Sequence, residues 1–280
     1  GPIGAAWAFT EEAFLKDRLS FLSFGKLRGS YGITGNDQIS NYQYLATYRA
    51  AGSTGAYQGI SVQNPARFAN QDIKWESNKK LEAALDLGFF KDRITMTAAV
   101  YRNLMGNQLL YISTPGQIGF SSYVGNFPAT IRNQGLELEI SSTNIQKKNF
   151  SWITSFNFTL AKTVLTSFDN IDDQSFYSNS YQLGQPVPFN RQYVVTGINS
   201  ENGVVIYQTG NASGLPTYAV DQAPNNIGNT CFGGINNSFT FHQLDFGFFF
   251  QFRHQYGYTN SLTGSLGSMN NQNTTVLDRW

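Results

Sequence analysis

The stretch LDFGFFFQFRHQYGY, residues 244–258, places a phenylalanine on every second position, at Phe246, Phe248, Phe250 and Phe252. Because successive side chains of a β-strand point to opposite faces of its sheet, this pattern predicts a strand with one aromatic face and one polar face. In a soluble protein the aromatic face would pack into a core. In a membrane barrel it would contact lipid, and the polar face would line an aqueous lumen.

The composition bears on this choice. Aromatic residues make up 15% of the 280 residues, whereas charged residues make up only 13%, about half the share of a typical soluble domain. The formal net charge of +1 offers no electrostatic footprint for nucleic acid. The single cysteine, Cys231, excludes an internal disulfide framework. No apolar run approaches the roughly 18–20 residues of a membrane helix.

Alternation of the same kind recurs along the chain, in segments 23–34, 80–90, 94–101, 131–142 and 150–161. The last of these, FSWITSFNFTLA, sets Trp152, Phe156 and Phe158 on one parity and mainly Ser, Asn and Thr on the other. The segments run about 9–13 residues, the length that a tilted strand needs to cross a bilayer. We therefore expect these three aromatics, together with the four phenylalanines above, to face lipid.

The connections between these segments alternate between short and long. The short turns are KDR (91–93), NIQKKN (144–149) and HQ (242–243), and the long irregular segments are 103–130 and 162–231. The second long segment contains a weaker strand pair, RQYVVTGI and GVVIYQ. Outer-membrane barrels join strands by short periplasmic turns and long extracellular loops. The sequence thus predicts an all-β fold, a partial transmembrane antiparallel β-barrel of about ten to twelve strands. A soluble, aromatic-rich glycan-binding β-domain is the alternative.

Three blocks of sequence resemble the distal barrel region of the SusC/RagA family, the TonB-dependent outer-membrane transporters of Bacteroidetes. They are FGKLRGSYGITGNDQISNYQYLATY (24–48), ANQDIKWESNKKLEAALDLGFFKDRITMTAAVYRN (69–103), and NQGLELEISS with NFSWITSFNFTLAKTVL (133–142 and 149–165). The order and spacing of the blocks match the family. GGINNSFTFHQLDFGFFFQF (233–252) is similar to the family's next hairpin.

This resemblance implies a barrel of about 22 strands, the size of a plugged outer-membrane transporter. Residues 1–280 would then be one fragment of the barrel domain, without the plug, the first half of the barrel or the closing strands. The resemblance further implies import of oligosaccharides or peptides across the bacterial outer membrane. A TonB complex would supply energy through the plug, and a SusD-like surface lipoprotein would deliver the substrate. A siderophore-type receptor without a lipoprotein partner is the alternative within this class.

Aromatic residues of the two long segments are the candidate contacts to substrate or partner, because loops on a rigid scaffold often carry binding residues. They are Tyr111, Phe120, Tyr123, Phe127, Phe176, Tyr177, Tyr181 and Phe189. Alternatively, these side chains pack the loops together or against the lipoprotein. Trp75 and Glu76, in the block DIKWES, are expected to pack a loop at a strand end.

No residue pattern indicates catalysis, a metal or a cofactor. His242 and His254 have no carboxylate or cysteine at ligand spacing, and neither a phosphate-binding glycine loop nor a nucleophile elbow occurs. Glu137 and Glu139 share a strand face and therefore cannot flank a glycosidic bond from opposite sides. We expect them to line the lumen of a protein that is not an enzyme.

Overall fold

The computed structural model describes residues 1–12, 21–36, 41–50, 56–58, 60–169, 181–187, 189–217, 220–226, 228–257, 269, 271 and 274. Within them, the strands are β1 (Ile3–Trp7), β2 (Leu22–Asn36), β3 (Thr47–Ala50), β4 (Ala56–Tyr57), β5 (Ile60–Ser61), β6 (Gln63–Arg67), β7 (Glu76–Phe89), β8 (Ile94–Gly106), β9 (Leu109–Ser113), β10 (Ser122–Asn126), β11 (Ala129–Lys147), β12 (Phe150–Phe168), β13 (Phe189–Tyr193), β14 (Val195–Ile198), β15 (Val205–Tyr207), β16 (Gln222–Asn226), β17 (Gly228–Phe241) and β18 (Leu244–Tyr256). Short 3₁₀ turns occupy Phe9–Glu11 and Gly116–Ile118. None of the helices in the described part is long and apolar enough to cross a membrane.

One antiparallel sheet dominates the described residues, with the strand order β1-β2-β7-β8-β11-β12-β17-β18. The sequence pattern predicts ten to twelve barrel strands, but this sheet has eight. Part of the difference comes from RQYVVTGI and GVVIYQ, which pair with each other as β14 and β15 apart from the sheet. With four and three residues, these strands are too short to span a bilayer, which takes about 9–11 residues per strand.

The register brings most of the large apolar residues of the eight strands onto one face, although Ile153, Phe232 and Phe249 lie on the other. Phe156 lies opposite Ile140 on β11 and Ile235 on β17, and Ile235 lies opposite Phe250. This apolar face carries Ile3, Trp7, Leu27, Tyr31, Leu85, Leu87, Met96, Val100, Leu138, Trp152, Phe158, Phe239, Phe246, Phe248 and Phe252. The predicted aromatic ladder is therefore confirmed as one surface. A slip of one residue in the pairing of any strand would turn the apolar side chains of that strand to the other face.

The opposite, polar face carries Lys26, Arg28, Glu82, Asp86, Thr97, Glu137, Glu139, Asn157, Gln251 and Arg253. Two alanines of this face are buried, Ala84 at 3% exposure and Ala99 at 8%. On the apolar face, by contrast, Phe246 and Phe250 remain 63% and 65% exposed. The sheet therefore leaves its large apolar side chains uncovered.

The three short turns lie along one edge of the sheet, here called the turn edge. The backbone N–H of His242 donates to the carbonyl of Asn149 at 3.0 Å, and that of Thr143 donates to the carbonyl of Arg93 at 2.7 Å. The prediction that these turns share one side is confirmed, whereas the assignment of that side to the periplasm stays a prediction.

The extent of the middle turn was predicted wrongly. NIQKKN (144–149) does not form a six-residue turn, because β11 continues to Lys147 and the turn occupies 148–149. A β-bulge between Thr143 and Ile145 takes up the extra residue, so that Ile145 pairs with Trp152 and the ladder continues.

The long connections 37–75, 107–128 and 169–227 leave the sheet at the opposite, loop edge. The boundaries predicted there, 103–130 and 162–231, were also wrong. Strand β8 runs to Gly106, β12 runs to Phe168 and β17 begins at Gly228. The sheet strands other than β1 have 13–19 residues. Polar residues near the loop edge still pair in the ladder, as Lys162 does with Gln134, although their side chains break the apolar alternation.

Candidate functional site at the loop edge and on the polar face

An ion network holds the polar face across three strands. Arg28 on β2 donates through Nη1 to Oε1 of Glu82 at 2.7 Å and through Nε to Oδ2 of Asp86 at 3.2 Å. The hydroxyl of Thr97 donates to Oδ1 of Asp86 at 3.0 Å. Since the Arg28 and Glu82 side chains are about 40% exposed, each ion pair contributes about 0.2–1 kcal/mol at most. The network fixes these polar side chains in place on the polar face.

Glu137 and Glu139 lie on this polar face, as the sequence predicts. Both side chains are exposed. Their strand partners on β8 are Ala99 and Thr97. The two carboxylates stand beside the Arg28 network and add negative charge to the face.

Trp75 and Glu76 fasten a loop to the start of β7, as expected. Glu76 accepts hydrogen bonds from the backbone N–H of Leu109 at 3.0 Å and from Nδ2 of Asn36 at 2.8 Å. The Trp75 ring covers Gly35, where an added Cβ would lie 3.3 Å from Cε3. Trp75 is nevertheless 65% exposed, so its other side is available for contact.

Two asparagines join the segment before β7 to the hairpin β9–β10. Nδ2 of Asn126 donates to the carbonyl of Lys74 at 2.7 Å and to that of Asn107 at 2.8 Å, and its Oδ1 accepts from the N–H of Lys74 at 2.7 Å. Nδ2 of Asn70 donates to the carbonyl of Val124 at 2.9 Å. Residues 68–76 and 107–127 thus form one hydrogen-bonded loop unit. The sequence analysis missed both asparagines, because a loop asparagine carries no periodic signal.

Two of the candidate aromatics pack inside this loop unit. The ring of Phe68 lies 5.9 Å from that of Phe120 and 5.9 Å from that of Tyr123, measured between centroids. Phe68 was not among the predicted residues, although it organises the other two. Tyr111, on β9, is 76% exposed.

Two further candidates belong to a packed cluster beside β12. The Phe127 ring lies 4.9 Å from Phe168 and 6.3 Å from Tyr181, around the buried side chains of Leu165 and Ala129. Phe168 is only 4% exposed. For Phe127 and Tyr181 the structure therefore shows the packing role that the sequence analysis left open.

The remaining candidates are not brought into these groups. Phe189 begins β13 and pairs through its backbone with Asn226 on β16. Phe176 and Tyr177 lie outside the described residues. The structure thus joins Phe120 with Tyr123 and Phe127 with Tyr181, and it does not gather all eight aromatics at one place. Their contact with substrate or partner stays a prediction.

A cavity of about 770 Å³ opens where β12, the start of β17 and residues 186–187 meet. Its volume lies in the range of small-molecule sites, roughly 300–1,000 Å³. It is lined by Tyr101, Arg102, Gln134, Gly135, Leu136, Leu160, Ala161, Lys162, Thr163, Pro186, Val187, Gly228, Thr230 and Phe232. These residues include two cations and no carboxylate.

Asp221 closes one loop at this edge. Its carboxylate accepts hydrogen bonds from the backbone N–H of Thr217 at 2.7 Å, the hydroxyl of Thr209 at 2.8 Å and the N–H of Gly210 at 3.4 Å. The bond from Thr217, followed by that from Thr209, holds the pKa of Asp221 below its usual value. Within the described ranges, no three His, Cys, Asp or Glu side chains are grouped to hold a metal ion.

An antiparallel sheet with long strands, one continuous apolar face, one polar face, short turns at one edge and long loops at the other is the wall of a membrane β-barrel. Residues 3–273 match the family described as "TonB dependent receptor-like, beta-barrel". The chain belongs to this family, whose SusC and RagA-type members are proteins of the bacterial outer membrane. The predicted fold class and localisation are confirmed, and the soluble alternative is set aside.

Named relatives and solved structures agree with this assignment. The chain is 34% identical over 173 residues to TonB-dependent receptor P3 of Formosa agariphila, covering 61% of this chain and 17% of the relative. It is 31% identical over 180 residues to TonB-dependent receptor SusC of Bacteroides thetaiotaomicron, covering 62% and 18%. The structure of the RagAB peptide transporter superposes with a TM-score of 0.71 at 19% identity, over 89% of this chain and 28% of that one. At that identity the superposition shows the fold alone.

Proposed function

We propose that this chain forms part of the wall of a TonB-dependent importer, which takes up oligosaccharides or peptides across the outer membrane together with a SusD-like lipoprotein. The two-faced sheet carries the proposal, and the match of residues 3–273 to the TonB-dependent receptor barrel family supports it. The chain spans 17–27% of the length of the curated relatives that it matches. The activity, substrate and partners of the whole protein therefore belong to this proposal.

The aromatic contacts on the apolar face support its assignment to lipid. Trp152 stacks on Phe239 with ring centroids 5.5 Å apart, and Phe252 stacks on Phe156 and Phe158 at 6.3 and 6.4 Å. Phe246 and Phe250 are uncovered apart from their neighbours on the face. In water such a surface would be an association site, whereas in a bilayer it meets the hydrocarbon core.

The two ends of the strand order support the presence of further barrel strands. In the described sheet, β1 pairs with β2 alone and β18 pairs with β17 alone. An open sheet edge cannot persist in the hydrocarbon region, because its backbone groups would have no hydrogen-bond partners. We infer that further strands pair with both edges in the full-length protein.

The loop edge offers the surface for substrate and lipoprotein. Exposed aromatic side chains stand there, including Tyr111, Trp75, Tyr42 and Tyr48. Such rings suit both sugar rings and peptide side chains, so they support either substrate class. The relative named TonB-dependent receptor SusC supports the SusC/RagA type, to which the proposed lipoprotein partner belongs.

The test uses the full-length transporter in its source bacterium. Deleting its gene should abolish growth on one defined oligosaccharide or peptide mixture as sole carbon source, and loss of TonB should give the same phenotype. An affinity tag on the transporter should recover a surface lipoprotein. Growth that depends on the gene under iron limitation alone, with no lipoprotein recovered, would instead establish the siderophore-type receptor.

A further inference from the structure

A hydrogen-bonded cluster of polar side chains interrupts the apolar face near the turn edge. Oδ1 of Asn237 accepts from Nε1 of Trp152 at 3.0 Å and from the hydroxyl of Thr154 at 2.7 Å. Nδ2 of Asn144 donates to the hydroxyl of Thr154 at 2.7 Å, and Ser142 donates to Oδ1 of Asn144 at 3.0 Å. Thr154 lies opposite Ser142 on one side and Asn237 on the other. These five residues are called the polar notch.

Placing these polar side chains in pure hydrocarbon costs free energy, because no water is present there to replace a missing hydrogen-bond partner. In the described part of the chain, the side-chain nitrogen of Asn237 donates to no protein acceptor. Its two N–H donors are thus available at the surface. A ligand with ester or phosphate oxygens would satisfy them.

Aromatic side chains stand beside the notch, as they do at the boundary between headgroups and hydrocarbon in outer-membrane barrels. Phe239 stacks on Trp152 and lies 6.1 Å from Phe246 and 6.0 Å from Phe248. Outer-membrane barrels carry girdles of aromatic residues at that boundary. Farther from the turns, the same face continues with Ile235 and Phe250, onto which acyl chains can pack.

Cations surround the notch on its turn side. Lys147 ends β11 and Lys148 lies in the turn that follows it, and Lys91 and Arg93 lie in the turn between β7 and β8. Nη2 of Arg93 donates to the carbonyls of Asn144, at 2.9 Å, and Thr143, at 3.1 Å, which places its guanidinium against the notch.

The two turns carry one negative charge, on Asp92, whose carboxylate already has a hydrogen-bond partner. Asp92 accepts a hydrogen bond from the hydroxyl of Ser23 at 2.8 Å. The four cations therefore leave a net positive patch at the turn edge. Basic clusters beside a membrane attract anionic lipid headgroups.

We propose that the polar notch and the adjoining basic turns bind the headgroup of an anionic membrane phospholipid. The phosphate contacts Lys147, Lys148 and Arg93, and the glycerol ester oxygens accept from the Asn237 amide. The acyl chains lie on Ile235 and Phe250. This inference rests on the proposed function only in that the apolar face must face lipid.

The test compares phosphatidylglycerol with phosphatidylcholine of identical acyl chains, added to the purified full-length transporter in detergent, with retained lipid counted by native mass spectrometry. Folding is first verified by heat-modifiable migration on gels. Dependence of growth on the gene is measured in a separate experiment, so that failure of the proposed function is distinguished from failure of the lipid site. The variant is Lys147→Gln/Lys148→Gln. The control is Lys79→Gln, which removes a lysine from the same face toward the loop edge.

We expect the wild-type protein to retain phosphatidylglycerol over phosphatidylcholine, the double variant to lose at least fivefold of that preference, and the control to keep it. A second variant, Asn237→Leu, should lower retention of both lipids because it removes the ester contact. Equal retention of the two lipids by the folded wild-type protein would overturn the site. So would a preference that survives in the double variant, or that falls equally in Lys79→Gln.

Discussion

Tyr101 on β8 lies directly opposite Gly135 on β11, and its phenol ring fills the space in which a side chain at position 135 would stand. A Cβ added to Gly135 would lie 2.7 Å from the hydroxyl oxygen and 2.8 Å from Cζ of that ring. Phe252 covers Gly233 in the same way, on the other face of the sheet. At these two positions glycine leaves room for an aromatic ring to lie against the strand.

Gly135→Ala should therefore destabilise the barrel. The added methyl group would meet the backbone carbonyl oxygen of Leu160 on β12 as well as the Tyr101 ring, so the ring must move and β11 must shift. Overpacking of this kind costs about 1–3 kcal/mol. The midpoint of heat-modifiable migration of the full-length transporter, measured against temperature, reports the change.

Gly29→Ala is the matched control. The nearest atom to a Cβ at that position is the carbonyl oxygen of Glu82, at 3.8 Å, so the methyl group fits. Equal loss of stability in the two variants would show that glycine is needed in these strands for a reason other than the crowding at Gly135.

A charge on the apolar face of β18 should cost more folding free energy than a charge on its polar face. Phe248 lies on the apolar face opposite Asn237, and Gln251 lies on the polar face opposite Gly234. Phe248→Arg places a cation against lipid at the level of the polar notch, where a barrel loses less than the roughly 2–4 kcal/mol of the midplane. Gln251→Arg meets water and should cost less than about 0.5 kcal/mol.

Urea titration of the folded fraction of the full-length transporter, with both variants prepared in parallel, distinguishes the faces. If Gln251→Arg were the more damaging substitution, the apolar face would line the interior and the assignment to lipid would be reversed.

The loop closed by Asp221 should loosen in acid. Hydrogen bonds from Thr217 and Thr209 lower the pKa of this carboxyl in the folded protein, so its contribution is complete above the unfolded pKa of about 3.9. The contribution is lost as the pH falls through the lower, folded value. Hydrogen exchange of peptides covering 209–221, corrected for the intrinsic rate, should stay constant from neutral pH to about pH 4 and rise below it.

Asp221→Ala removes the acceptor at every pH and should give fast exchange throughout that range. A wild-type loop whose corrected exchange did not change in acid would show that the three hydrogen bonds do not hold it.

Strand faces could be predicted from the sequence because alternation is local. Each of Phe246, Phe250 and Phe156 could be assigned to a face from its own neighbours, and the register confirms the result. Strand ends could not be predicted, since Lys162 and Gln134 pair in the ladder although they are polar. Their pairing depends on the strand opposite, which a single segment does not reveal.

The packing of the loop aromatics could not be predicted from the sequence either. Nothing in the sequence around Phe127 separates it from Tyr111, yet the first packs against Phe168 and the second is 76% exposed. The difference arises from the return of residues 181–187 onto β12, where the N–H of Val187 donates to the carbonyl of Thr163. Contacts between segments so distant along the chain leave no periodic signal.

This difference leads to a test of where substrate is met. Tyr111→Ala removes an exposed ring and should leave loop stability within about 0.5 kcal/mol of the wild type. If Tyr111 contacts substrate, the Kd should rise at least about fivefold, since residues that anchor a ligand cost more than about 1 kcal/mol on truncation. Tyr123→Ala instead removes a ring that packs on Phe68. It should speed proteolytic cleavage of the loop unit.

Deleting 116–126 from the full-length transporter extends the test to partner capture. The deletion removes Phe120 and Tyr123 together with Asn126, whose amide ties the loop unit to Lys74 and Asn107. Loss of lipoprotein capture by a folded barrel would mark the unit as a docking surface, and loss of uptake with capture intact would mark it as a substrate surface. If uptake and capture both survived the deletion, and Tyr111→Ala left the Kd unchanged, these aromatics would serve only to pack the loops.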